Sequence, residues 1–320
     1  MSKKQVFVVK GSTPYYGMWD DLDKIINVDK SEEPRQVTFT CKDVTIMCSM
    51  FEDCSNLILL DLSNFDTSNV THMHDTFSSC SSLTTLDLSS FDTSKVRDMV
   101  GMFSGCSNIA SLDLSNFDTS NVEHMGGMFY NCHHLVLLNV SNFDTSNVDG
   151  MNDMFENCFS LAKLDLSSFD TSKVKSMGEM FANCYELTAL NLSNFNTSKV
   201  SNMFGMFNGC YNLTSLDVSN FDTSNVTYMD FMFNKCRNLT TLDLSNFDTS
   251  NVRFMRSMFE DCSNLTTIKG VIDMKNCTDD NYEDMFYNCP KLTGVKIKNP
   301  PSDFESKTGL SSSQYTVVNE

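Results

Sequence analysis

Apolar residues recur along this chain with a strict long period. From Val44 onward one pattern repeats, V-x-x-M-x-x-M-F-x-x-C-x-x-L-x-x-L-D-L-S-x-F-D-T-S-x. Cys54, Cys80, Cys106, Cys132, Cys158, Cys184, Cys210, Cys236 and Cys262 stand 26 positions apart, and Cys289 follows after 27. Within each repeat, segments such as residues 60–63 (LDLS) alternate apolar and polar and read as a short strand. Val70, Met73, Phe77 and Cys80 recur at spacings of three and four, which predicts a short helix or 3₁₀ segment on the opposite side. One strand and one short helix cannot bury an apolar side alone. Stacked about 4.8 Å apart, however, such units share one continuous core.

The expected architecture is an α/β repeat: a leucine-rich-repeat-type solenoid with one short strand plus a short helix or 3₁₀ segment per 26-residue rung. Residues 44–290 form its ten rungs, nine regular and one irregular. Residues 1–43, with an apolar stretch at 6–9 and with Pro14, Trp19 and Pro34, are expected to cap the first rung, and residues 291–320 to form a C-terminal cap and tail.

The residues LDLSNFDTSNV at 60–70 and 112–122, followed by Met and Met-Phe-x-x-Cys, resemble the BspA-like leucine-rich repeat proteins, a bacterial surface family. The likeness covers roughly residues 44–290. It implies surface display, adhesion to a protein or glycan ligand on another cell or matrix, and no enzymatic activity. No signal peptide, anchor or membrane span is recognised in the chain, so a cytoplasmic partner-binding scaffold is the alternative location and role, alongside a structural spacer or fibre segment.

Charge narrows the partners. With 23 Lys+Arg against 41 Asp+Glu, the net charge of -18 repels nucleic acid and anionic membranes and favours basic or neutral ligands.

The column residues invite chemical readings that weaken on inspection. The Met columns suggest thioether ligands, but Met at these spacings fills core. Nine cysteines in one column read as buried, reduced thiols, because parallel side chains on equivalent rungs disfavour disulfide torsion. Cys41, Cys48 and Cys277 lie outside that column without zinc-ligand spacing. No phosphate-binding loop appears around Gly126 and Gly127. His72, His74, His124, His133 and His134 show no nucleophile or carboxylate constellation. Asp66, Thr67 and Ser68 read as turn chemistry. The Thr67, Thr93, Thr119 column raises ice binding as a remote reading. Neither cofactor nor metal is expected.

Two features stand out as candidate sites. Asp61, Asp87, Asp113, Asp165, Asp217 and Asp243 form an acidic strand face, either solvated consensus or a face for a cation or basic ligand. Directly after the core Cys, Ser55, Ser81 and Ser107 give way to His133, Phe159, Tyr185, Tyr211 and Arg237 before Ser263 restores the pattern. That stripe reads either as a contact surface or as rings stacked for stability. Phe204, Tyr228, Phe231 and Phe254, with Arg253 and Arg256, add a second outward group to the partner-binding candidates.

Overall fold

The computed structural model describes residues 5–10, 36–42, 44–278 and 280–319. Pro14, Trp19 and Pro34 of the expected N-terminal cap lie outside the described residues. Two strands before the repeats, β1 (Gln5–Lys10) and β2 (Gln36–Lys42), pair in parallel with each other and with β3 (Leu59–Phe65) of the first rung.

The repeats stack as parallel rungs, and the stack is not closed into a barrel. Parallel pairs join β4 (Ser111–Asp113) to β5 (Leu137–Asn139) and β6 (Thr241–Asp243) to β7 (Thr267–Lys269). Leu112 and Leu242 point inward between exposed neighbours, as the alternation predicts. A second line of single parallel bridges runs through His72, Asp98, His124, Gly150, Ser176, Asn202, Tyr228 and Phe254, always 26 residues apart.

The expected helix is absent from the repeats; the one helix among the described residues is α1 (Phe304–Thr308). In its place each rung makes two consecutive tight turns. Thr76 N–H donates to Met73 C=O (3.3 Å) and Cys80 N–H to Phe77 C=O (3.2 Å), with Asp75 and Ser79 at φ of 52° and 59°. Positive φ at the third residue of an i→i+3 turn is the type II geometry. Alternate N–H groups are thereby freed to bond the next rung: Met73 to Asp98 C=O, Asp75 to Val100 C=O, Phe77 to Met102 C=O and Ser79 to Ser104 C=O, all at 2.6–2.9 Å. An α-helix would use those donors internally, so the turns give the better ladder between rungs.

The columns fill the interior. The Val, Met, Phe and Cys columns and most of the strand leucines are buried, with Leu86, Leu138 and Leu164 partly buried against them. Rings of the core Phe column, from Phe51 to Phe286, step by 5.3–5.8 Å. In the Phe column that follows the strand, the steps are 6.3 Å (Phe65 to Phe91), 6.5 Å (Phe143 to Phe169) and 6.4 Å (Phe221 to Phe247).

The Thr column is buried too. Thr145 Oγ1 donates to Asp170 C=O (2.9 Å) and accepts from Asp170 N–H (2.8 Å), and the same double bond recurs along the column. Ice binding needs exposed hydroxyls, so this burial removes that reading. The described thiols are free, and each in the main column from Cys80 onward donates to a Phe carbonyl of the preceding rung, as Cys80 does to Phe51 (3.0 Å).

At the C-terminal end β8 (Val271–Asp273), β9 (Val295–Lys298) and β10 (Tyr315–Val318) form a parallel sheet in the order β10-β9-β8. Helix α1 takes up the last rung's ladder, with Asp284 N–H donating to Lys307 C=O (2.7 Å) and Phe286 N–H to Thr308 C=O (2.8 Å).

Candidate functional site

The aromatic stripe forms because the residue after the core Cys has the same backbone setting in most rungs, those of His133, Tyr185, Tyr211 and Arg237 among them. Its N–H donates two residues back, as Tyr185 does to Asn183 C=O (2.9 Å), so side chains there align. His133 stacks on Phe159 at 4.5 Å, Phe159 on Tyr185 at 4.6 Å and Tyr185 on Tyr211 at 4.7 Å, with interplanar angles of 3–7°. The Arg237 guanidinium lies 4.9 Å from the Tyr211 ring centre and 3.6 Å from Asp261. Burial, then His134, holds the His133 pKa below its ordinary value, which favours a neutral ring in the stack. The rings are half-buried. Since interior rings cover each other's faces, what they present outward is edges and phenol groups. A sugar packs on a ring face, so this stripe suits a protein surface better.

The second aromatic group also assembles. Tyr228 stacks on Phe254 at 4.8 Å, and Phe204 meets Phe231 edge to face at 5.6 Å. Exposed Arg256 pairs with Glu283 at 3.0 Å, and its N–H donates to the Asp230 carboxylate at 2.8 Å. Phe231 holds φ of 58° in a turn column where other rungs carry Gly, Asp, Ser or Glu.

The acidic strand face is engaged locally. Each carboxylate accepts from the Ser two residues on: Ser89 N–H to Asp87 (3.0 Å), Ser115 N–H to Asp113 (3.0 Å), and Ser245 N–H and Oγ to Asp243 (3.1 and 2.6 Å). Asp61 has the same two bonds from Ser63, and Asp165 and Asp217 accept from Ser167 and Ser219. These bonds hold Asp87, Asp113, Asp165, Asp217 and Asp243 below the usual carboxylate range. Lys269 adds an ion pair to Asp243 at 3.2 Å.

Two features escape a repeat-by-repeat reading. Asp153, Glu156 and Glu179 bring carboxylate oxygens within 4.8 Å of one another, half-buried on adjacent rungs. Burial, reinforced by Glu179 and Asp153, pushes the Glu156 pKa up to about 7. The signal was available in the acidic occupants of one column, Asp153 and Glu179. The histidines need a correction: His74 lies 3.4 Å from Asp98 and His124 3.1 Å from Asp149, which also pairs with Lys175. Both pairs cross from one rung to the next, so no local spacing reveals them.

No curated protein matches the sequence. The family described as "Mycoplasma protein of unknown function, DUF285" matches over residues 21–137, 103–190 and 184–299, in keeping with tandem repeats. This chain belongs to that family.

Proposed function

We propose that this chain is a non-enzymatic recognition protein, a leucine-rich-type solenoid of the BspA-like kind that adheres to a protein ligand through its aromatic surfaces. The observation that carries the reading is the run from His133 to Arg237: five successive rungs replace a small polar residue with a ring or a cation at one surface position. Aromatic and arginine side chains in contiguous array are the usual anchors of protein interfaces. Phe231 supports the same reading. A bulky residue in left-handed backbone costs about 1–2 kcal/mol, and that strain is tolerated where it sets Phe231 against Phe204. The absence of enzymatic function in this reading rests on the arrangement of like groups in parallel rows, whereas catalysis needs unlike groups converging. Display at a bacterial surface comes from the resemblance, with an intracellular scaffold as its alternative.

The test is binding of the purified chain to an array of extracellular-matrix and cell-surface proteins, beside a variant carrying Phe159→Ser, Tyr185→Ser and Tyr211→Ser. A protein ligand retained by the parent and lost by the folded variant is the expected result. The stacking itself favours a second reading, a spacer in which ring pairs add about 0.5–1.5 kcal/mol each. A variant that loses stability while every binding signal is unchanged, or absent from both proteins, supports that role instead.

A further inference from the structure

A groove of about 420 Å³ opens on the face that carries the turns, between residues 100 and 153. Its floor includes Gly126, Gly127 and Gly150. Gly127 has φ of 59° and occupies a left-handed turn position that explains it. Gly126 and Gly150 have no such explanation, because neither has positive φ. A Cβ at Gly150 would meet nothing within 4 Å, and one at Gly126 only Asn152 C=O at 3.5 Å, an ordinary contact. The equivalent positions on other rungs carry Val100, Phe204 and Arg256 in the first column and His72, Tyr228 and Phe254 in the second. The fold therefore accepts large side chains at both places, and the two glycines serve to keep this stretch of surface open.

The lining is mostly apolar surface, interrupted by a few polar groups that are free to accept a ligand. Asn152 Oδ1 is taken by Ser176 Oγ (2.5 Å) and Gly178 N–H (3.0 Å), which fixes the amide and leaves Nδ2 without a partner among the described residues. The Tyr130 hydroxyl and Ser104 Oγ likewise have none there, and His124, bonded to Asp149 through Nδ1, keeps Nε2. Asp153 also lines the groove. The lining includes no Lys or Arg, so an anionic ligand has no counter-charge. An aromatic ring together with a planar amide, hydroxyls, an imidazole and a carboxyl, on a lining that also includes bare glycine backbone, matches the alternating apolar faces and hydroxyl edges of a pyranose. We propose that this groove binds a neutral sugar residue, at a site sharing no residue with the aromatic stripe.

Saturation-transfer NMR of the full chain with the methyl glycosides of glucose, galactose, mannose and N-acetylglucosamine tests this. Transfer to at least one glycoside is expected, with loss of that signal in a Gly126→Leu, Gly150→Leu variant whose groove is filled. Tyr130→Ala, which leaves the glycines intact, should weaken binding about tenfold, and it decides the matter if the filled variant does not fold. The Phe159→Ser, Tyr185→Ser, Tyr211→Ser variant should keep the glycoside signal, so failure at the stripe and failure at the groove are separately visible. Transfer to none of the four sugars, an undiminished signal in a folded filled variant, an unchanged affinity in Tyr130→Ala, or preferential binding of arginine amide would overturn the proposal.

Discussion

Glu156 shows how a single position can work against stability in an otherwise self-consistent stack. Its pKa rises from 4.5 to about 7 on folding, chiefly through burial. Between those values the folded chain holds a proton that the unfolded chain has released, so stability falls as pH rises through that window. Glu156→Gln should flatten this decline and, at mildly alkaline pH, raise stability by about 1 kcal/mol after allowance for solvent screening. Chemical denaturation across the pH range measures it; an unchanged profile would show that Glu156 titrates normally. Residue-level chemistry was legible where it repeats and obscure where it does not. The stripe could be read because His133, Phe159, Tyr185 and Tyr211 share one column. Glu156 with Glu179, and His124 with Asp149, meet across columns and rungs, and only the stacking geometry brings them together.

At the scale of the element, the turns were the misreading. Spacings of three and four from Val70 to Cys80 fit an amphipathic helix, yet two type II turns set the same side chains inward. The decisive residues were present between the apolar ones: Gly101, Gly105, Gly127, Asn131, Asn157, Gly205 and Gly209 all occupy left-handed positions. Gly and Asn at fixed places in a supposed helix argue against it. Lys235, with φ of 59° in the column of Gly105, Asn131, Asn157 and Gly209, lacks their tolerance. Lys235→Gly should therefore stabilise the chain by about 0.5–1 kcal/mol, the relief of left-handed strain exceeding the added freedom of the unfolded state. A denaturation midpoint equal to or below the parent's would count against the turn assignment.

For the whole molecule, the phase of the repeats could be read from the cysteine column alone, and that column is buried in the core. Its thiols are free, and burial pushes Cys106 and Cys210 up to about 12. Reductant should leave the thermal midpoint unchanged, and a thiol reagent should reach the column only as the chain unfolds. Rapid labelling of these cysteines in the native state would contradict the packing. The spacing of equivalent rings carries a consequence for shape. Rungs related by translation alone would take the same step everywhere, yet the steps are 4.5–4.7 Å along the stripe and 6.3–6.5 Å in the Phe column after the strand. Successive rungs are therefore turned as well as shifted, and the stripe lies nearer the turning axis, where rings approach most closely. Gaining or losing one repeat re-aims the two ends of the molecule as well as changing the distance between them, so evolution of repeat number in such a chain is also evolution of direction.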